Sequence, residues 1–347
     1  MTQTAPEISV IIPHFNGEAI LRDCLVSLYR STRVTMEVIL VDNGSTDTSI
    51  AMVRHEFPQV RILSLAQNIG FAGGCNYGIR NASGPFVLIL NNDTVHEKGW
   101  IEYLLAAIKT DPSIAVVQPK LHSFQNPGHF DYSGACGGEM DIFGFPFARG
   151  RVFEYIEADQ RQYDAQPPDI FWASGTAFLA RRQLLLEAGL FDEQYFAHME
   201  EIDLDWRLQL MGYRCVIEPR ALVRHRSGYT LAAESPFKKY LNHRNSLFMF
   251  LSNYRGLLTL YFLPIRLMLE YMAIFFSLLR RDFGRAAAIL KAHLWILTHI
   301  GKIMRKRQQV GRIRVLRDRQ VMTRMYPGSV ALSAFLLGKR QYSAYIR

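Results

Sequence analysis

Over its first 120 residues the chain alternates short unbroken apolar runs with longer stretches of helical period. Residues 8–12 are such a run, stopped by Pro13, and predict a buried parallel strand. An amphipathic stretch at 18–30 predicts a helix, and 37–41 predicts a second strand closing on Asp42-Asn43-Gly44-Ser45. Helix 46–56, strand 61–65, a glycine-rich turn and helix over 70–80, strand 85–90, helix 97–109 and a strand at 114–118 follow. Units of this length and order predict an α/β fold with a doubly wound, Rossmann-like, mostly parallel sheet flanked by helices. Ligands of such sheets sit beyond the carboxyl ends of the strands, where the polar clusters 13–16, 42–47 and 91–93 fall.

The regular alternation then stops. Residues 119–170, rich in Gly, Phe and Pro, predict a long loop insertion with room for a short hairpin. Strand 172–180, a helix at 181–188 stopped by Gly189, a helix at 200–211 stopped by Gly212 and strand 213–217 come next. From about Tyr240 the character changes, which divides the chain into 1–240 and a helical, basic, amphipathic region at 241–347. Of its two apolar stretches, 257–279 is interrupted by Pro264, Arg266 and Glu270, and 286–301 by Lys291, His293 and His299. A bilayer span needs about twenty uninterrupted apolar residues, so helices lying in the plane of a membrane fit better. A helical subdomain packed on the core is the alternative.

Charge sharpens that choice. The net charge is +9, yet residues 280–324 hold thirteen Lys/Arg against two acids, Asp282 and Asp318. A basic cluster beside apolar helical sequence points to an anionic membrane surface. It does not point to nucleic acid, which calls for basic residues interleaved with exposed aromatics on a recognised module. Cys24, Cys75, Cys136 and Cys215 are scattered without metal-ligand spacing, and the polar residues 1–7 run straight into a strand. Both predict a reduced, cytoplasmic protein without a signal peptide, peripheral on the inner face of the cell membrane.

Three constellations carry chemistry. Asn91-Asn92-Asp93 ends an apolar strand; a carboxylate there can hold Mg2+ or Mn2+, hard cations that take oxygen ligands and bridge the phosphates of a nucleotide sugar. A plain Asx turn leaving a strand has the same sequence. Glu200, Glu201, Asp203 and Asp205 place four carboxylates in six residues at a helix start, a density the macrodipole does not account for. Like charges this close raise one another's pKa, which suits a base that takes the proton of a sugar hydroxyl. His225, between Arg224 and Arg226, can complete a cation site beside a carboxylate or be a solvated surface residue. The glycine-rich segment 68–76 lacks GxGxxG spacing and follows the third strand, and there is no Walker A lysine motif and no GxSxG. These absences argue against dehydrogenase, P-loop and hydrolase readings.

Taken in order, Ser9-Val10-Ile11-Ile12-Pro13-His14-Phe15-Asn16, Val41-Asp42-Asn43-Gly44-Ser45-Thr46-Asp47, the 68–76 segment, Leu90-Asn91-Asn92-Asp93-Thr94, Ala173-Ser174-Gly175-Thr176-Ala177 and residues 200–207 resemble the family 2 glycosyltransferases. The likeness is greatest to their rhamnosyltransferase-like bacterial members and covers roughly residues 8–230. It implies a GT-A fold, here with a C-terminal membrane-associating appendage. It also implies an inverting, metal-dependent transfer from a dTDP- or UDP-sugar, rhamnose among the candidates, to a glycan or lipid-linked acceptor in cell-surface polysaccharide synthesis. By the same resemblance Pro13, Phe15, Asn16 and Asp42 hold the nucleoside, and Asn68, Gly70, Phe71, Gly74 and Asn76 line the nucleotide pocket. Asp93 matches the last aspartate of the family's DxD motif, with Asn91 at its first position and Asn92 between, and ligands the metal with His225. Glu200-Glu201 occupies the family's Glu-Asp pair, which makes Glu201 the base and Asp203 its alternative. Ser174 and Gly175 shape the sugar or acceptor site, as does Trp172 unless it is core. A metal-dependent sugar nucleotidyltransferase is the first rival, but it would carry a Gly-rich, Lys/Arg-bearing loop where Pro13-His14-Phe15-Asn16 stands. A non-enzymatic basic membrane-binding protein is the second, and it has no use for Asp93 and the 200–205 carboxylates together.

Overall fold

A computed structural model of the chain describes residues 5–226 and 235–346. Residues 1–4 of the polar start, and Ser227 and Gly228 after the His225 motif, lie outside the described residues. Strands β1 (Ile8–His14), β2 (Met36–Asp42), β3 (Arg61–Ser64) and β4 (Phe86–Leu90) alternate with helices α1 (Glu18–Ser31), α2 (Ser49–Glu56) and α3 (Gly70–Asn81). They form a parallel block in the order β4-β1-β2-β3. The unbroken apolar runs are needed because both faces are covered. Val10, Ile12, Leu88 and Leu90 enter one buried cluster, and Ile11, Ile39, Val87 and Ile89 enter the other. The register sets His14 opposite Asp42, so β1 and β2 deliver their polar ends at one level.

The second half of the sheet mixes directions. After β5 (Thr94–His96), α4 (Trp100–Lys109) and β6 (Ile114–Ser123), the insertion folds into a small antiparallel sheet. Its strands are β7 (Gly138–Met140), β8 (Pro146–Ala148), β9 (Arg151–Val152) and β10 (Tyr155–Ile156), which are too short to leave a periodic signal. There follow β11 (Asp169–Ile170), β12 (Ala177–Arg181), α5 (Arg182–Glu187), α6 (Glu200–Leu210) and β13 (Arg214–His225). β12 inserts antiparallel between β4 and β6, and β13 runs parallel to β6. β13 extends well past the expected end at 217. A register irregularity between Glu218 and Leu222 absorbs Pro219, which has no N–H for the ladder. The extension sets His225 opposite Thr94.

Helices α7 (Pro236–Asn253), α8 (Gly256–Leu279), α9 (Phe283–Thr298), α10 (Ile300–Ile313), α11 (Asp318–Met322) and α12 (Val330–Phe335) complete the chain. The apolar stretch at 286–301 breaks at His299 into the end of α9 and the start of α10. Leu247 and Phe250 of α7 and Ile303 and Val310 of α10 share one core with Ile11 and Ile89. The C-terminal helices therefore pack directly on the sheet domain.

Two close approaches fix the layers. A Cβ at Gly78 would stand 2.3 Å from Ile11 Cγ2 and 3.1 Å from Val41 Cγ2, so α3 lies nearer the sheet than a side chain permits. A Cβ at Gly138 would stand 2.1 Å from the Trp172 ring. Gly78→Ala is expected to lower stability by about 1–3 kcal/mol through overpacking, read as a lower urea midpoint with an unchanged slope.

Candidate active site

The carboxyl ends of β1, β2 and β3 build one side of a cleft. His14 is buried, with Nε2 2.9 Å from Ser49 Oγ and Nδ1 2.8 Å from Asn92 Nδ2. Burial outweighs the pull of Asp47 and Asp42 and lowers its pKa to about 4. The ring is therefore neutral, and Nδ1 accepts from the Asn92 amide. Asn16 adopts φ 57 and its Oδ1 accepts from the Thr46 N–H at 2.8 Å, while Ser45 N–H donates to Asp42 Oδ1 at 2.8 Å. Asn43 ties this rim to α3 by donating to Gly70 O at 3.0 Å. Asn68 Oδ1 accepts from the Gly70 N–H at 2.9 Å. A Cβ at Gly74 would stand 3.3 Å from Pro13 Cβ. Pro13, Asn16, Asp42, Asn68, Gly70 and Gly74 thus gather at one rim, where Phe15 is 41% exposed.

The other side comes from β4, β12 and β13. Asn91 N–H donates to Thr176 O at 2.9 Å, which brings the strand end that carries Asp93 against the Ser174-Gly175-Thr176 turn. His225 Nε2 lies 3.1 Å from Asp93 Oδ1, and its Nδ1 lies 3.0 Å from Asp131 Oδ1. Burial alone would lower the His225 pKa, but with no cation beside it the Asp93 and Asp131 carboxylates raise it to about 10, so a cation held there would displace the Nε2 proton. Ser133 Oγ is 3.3 Å from His225 Nδ1 and accepts from Thr176 Oγ1 at 2.9 Å. A Cβ at the next residue, Gly175, would stand 3.3 Å from the Phe71 ring and 3.8 Å from Glu201 Cδ. A continuous line of contacts thus runs from Asp93 through His225, Asp131, Ser133 and Thr176 to Gly175 and Glu201.

Helix α6 supplies the acidic pair. Burial, with the Glu201 charge second, holds the Glu200 carboxyl well above its usual range. Burial also raises Glu201, against backbone N–H groups at the helix start and at Gly175 that favour its charged form. One oxygen of each, Oε2, is buried without a hydrogen-bond partner. Asp93 Oδ1 is paired with His225 Nε2 at 3.1 Å. No group of three or more His, Cys, Asp or Glu gathers around a metal-sized space among the described residues. Asp93 Oδ1 and His225 Nε2, 3.1 Å apart, are two potential cation ligands. That suits a hard cation completing its sphere with phosphate oxygens and water.

Three expected residues lie elsewhere, and a fourth, Ser174, lies inside the turn on the cleft side. Asp203 is fully buried, bonded to Arg207 Nε at 2.9 Å, Lys306 Nζ at 2.8 Å and Asn253 Nδ2 at 2.9 Å. These three partners take up its carboxylate. Trp172 is core, its Nε1 donating to Glu139 O at 2.8 Å. Asn76 is turned to the 191–193 segment, accepting from Phe191 N–H at 3.0 Å and donating to Phe191 O at 2.9 Å. Ser174 is buried, and its Oγ accepts from Thr176 N–H at 3.2 Å, so it shapes the turn from within. The residues that the sequence reading missed are braces. Asp131 and Ser133 orient His225, Gln118 accepts from Ser174 N–H at 2.8 Å, and Asp205 accepts from Ala173 N–H at 2.6 Å. Only the Asp-x-Ser spacing of 131–133, an Asx-turn pattern, hinted at them.

Burial would raise the Asp203 carboxyl, but Lys306 and Arg207 hold it far below its usual range. A folded-state pKa below the unfolded value of about 4 gives stability that is complete above that value and is lost progressively as the pH falls from there through the lower folded-state pKa. Asp203→Asn is expected to cost about 3–5 kcal/mol at neutral pH by stranding two buried cations. It should also flatten the acid side of the stability profile, measured by urea midpoints from pH 7 downward.

A family model described as glycosyl transferase family 2 matches residues 9–188. Over 274 residues the chain is 28% identical to an N-acetylglucosaminyl-diphospho-decaprenol L-rhamnosyltransferase of Mycobacterium tuberculosis, covering 73% of this chain and 85% of that protein. Among solved structures, a mannosyltransferase of Pyrobaculum calidifontis in complex with GDP-Man and Mn2+ aligns with TM-score 0.53 at 15% identity, covering 97% of this chain and 89% of that one. TarS 1–349 of S. aureus in complex with UDP-GlcNAc aligns with TM-score 0.51 at 20% identity, covering 72% and 68%. At such identities the likeness is one of fold, and the fold is GT-A.

Proposed function

The chain belongs to glycosyl transferase family 2 and is a rhamnosyltransferase-like glycosyltransferase, and on that premise we propose the transfer it performs. A sugar, rhamnose among the candidates, passes from a dTDP- or UDP-sugar to a hydroxyl of a glycan or lipid-linked acceptor, with inversion, in cell-surface polysaccharide synthesis. The observation that supports this most is the line of contacts joining Asp93 and His225 to Glu201 beside the Asp42 rim. The M. tuberculosis relative is named for a lipid-linked acceptor.

Asp42, Asn16 and Pro13 hold the nucleoside, and the backbone around Asn68, Gly70 and Gly74 closes over it. Asp93 and His225 would hold Mg2+ or Mn2+, which when bound neutralises charge developing on the leaving diphosphate. Glu201 takes the proton of the acceptor hydroxyl as that oxygen attacks the anomeric carbon from the face opposite the leaving group. Its raised pKa makes it a stronger base than an exposed carboxylate. The Gly175 N–H orients one of its oxygens and leaves Oε2 to the hydroxyl.

The C-terminal helices bring the cleft to an anionic membrane, on the cytoplasmic face. α8 is long and apolar enough to cross a bilayer by length and composition. It is nonetheless pinned to the protein, because Arg266 and Glu270 are buried and paired with each other at 2.7 Å, and Glu270 also meets His243 at 2.8 Å. Leu257, Leu260, Tyr261 and Leu279 face outward, as do Leu290, Leu294 and Leu297 of α9, with Arg280 and Arg281 exposed between the two helices and Arg285 exposed in the first turn of α9. That arrangement suits helices lying in the interface plane.

In the presence of Mn2+ the chain is expected to release nucleoside diphosphate from a dTDP- or UDP-sugar. Glu201→Gln should slow transfer by about 10²–10⁴-fold yet keep the thermal stabilisation given by UDP or dTDP with Mn2+. A variant with normal turnover would end Glu201's assignment as base. A Leu290→Glu, Leu294→Glu, Leu297→Glu triple variant should lose co-sedimentation with phosphatidylserine-containing vesicles and keep turnover on soluble substrates. Equal sedimentation would remove α9 from the membrane surface.

A further inference from the structure

The geometry points to Arg244 and Asn245 of α7 as positioning residues that hold segment 194–199 in the strained shape from which Glu200 and Glu201 enter the cleft. This rests on the transfer reading above and adds to it the device that aims the base. Phe196, His198 and Met199 have φ of 65°, 68° and 72°, in the left-handed region that residues other than glycine seldom occupy. Such backbone persists only where its surroundings over-determine it, and the surroundings here are two side chains of α7. Asn245 is fully buried, and its Nδ2 lies 2.7 Å from His198 O, 2.9 Å from Ala197 O and 3.1 Å from Tyr195 O. One amide has two N–H groups, so three carbonyls share them. Its Oδ1 accepts from Arg244 Nε at 2.7 Å, which fixes the orientation of the amide, since the opposite flip would press an oxygen against three carbonyls. Arg244 Nη2 donates to Gln194 O and Tyr195 O, both at 2.9 Å. The Arg244 guanidinium is itself held over the rings of Tyr240 and Trp295.

The dipeptide thus gathers the carbonyls of Gln194, Tyr195, Ala197 and His198. The remaining carbonyl at the tip, Phe196 O, accepts from Phe71 N–H at 3.2 Å. A Cβ at Gly70 would stand 2.7 Å from that same oxygen. Segment 194–199 is therefore wedged between α7 and the start of α3 at the nucleotide rim, and it leads without a break into Glu200 and Glu201. Neither Arg244 nor Asn245 approaches the cleft's reacting groups; both act through the segment.

The test uses the full-length chain with Asn245→Leu, which removes the donors at similar volume, and Arg244→Gln, at a half-buried position, as the variant to rely on where Asn245→Leu does not fold. Hydrogen exchange at 194–201 is expected to quicken about tenfold or more, with the rest of the sheet protected as before. Nucleoside diphosphate release should fall about tenfold to a hundredfold in kcat, while KM for the donor and the affinity for UDP with Mn2+ stay within about threefold. Arg244→Lys, which keeps the charge and one donor, should recover part of the loss, as a merely structural role would not require. Unchanged exchange at 194–201 in both variants, or a rise in KM at constant kcat, overturns the inference. A wild-type chain that turns over no donor counts against the transferase reading instead, because the exchange measurement is independent of turnover.

Discussion

Asp203 carries a charge that no solvent reaches, and three helices are arranged around it. A carboxylate removed from water is tolerated only when paired and fully hydrogen-bonded. Here Arg207 answers from the next turn of α6, Lys306 from α10 and Asn253 from α7. Arg207 is fixed in turn by the carbonyls of Ala188 and Leu190, and Lys306 by Asp192. Asp203 lies two residues beyond Glu201 on the same helix. The interaction that locks α6 in place therefore also decides where the acidic pair at its start faces. The C-terminal helices supply two of the three partners, so they are part of the frame of the cleft.

The two ends of the cleft show how neighbours, and not residue type, set a carboxylate's behaviour. At one end the His225 ring is caught between Asp93 and Asp131, and its pKa rises to about 10. At the other, Glu200 and Glu201 share a buried helix start without a cation beside them among the described residues, and burial pushes both upward. Asp203, on the same helix, goes the opposite way because two cations reach it. Titratable groups whose surroundings push their pKa values apart mark a division between holding charge and moving protons. That division falls along the contact line from Asp93 to Glu201.

The parallel block was legible because each strand there is an apolar run covered on both faces, and strands of that kind cannot be written with alternating polar residues. The polar clusters at 13–16, 42–47 and 91–93 were legible for the same reason, since they are where those runs stop. Asp131, Ser133 and Gln118 were not, because they act by spatial contact from a loop and a strand with no distinguishing pattern. β13 was cut short at 217 because Pro219 reads as a strand end, whereas a bulge carries the strand on to His225. The 200–205 acids were visible as a cluster but not separable. Which of them faces the cleft depends on Lys306, a hundred residues away in sequence. Trp172 and Asn76 stood inside apparent motifs, yet their partners, Glu139 O and the Phe191 backbone, make them parts of the scaffold.

The interruptions of α8 carry the opposite meaning in the fold from the one they carry in the sequence. Arg266 and Glu270 break the apolar run, but the fold turns them inward, where Arg266 also donates to Phe143 O at 2.9 Å. What remains outside is apolar, so the helix is polar within and hydrophobic without, the reverse of a helix on a soluble surface. Neither α8 nor α9 makes a clean span, yet the two pack together, each with exposed apolar residues, and Arg280, Arg281 and Arg285 are exposed where one helix gives way to the other. On the proposed membrane reading, an acceptor anchored in the bilayer meets the cleft at the level of its own headgroup. The fold then has no need of a channel to draw a lipid-linked glycan inward, because α8 and α9 pack against α7, whose Asn245 and Asn253 brace the segment and the helix that carry the acidic pair.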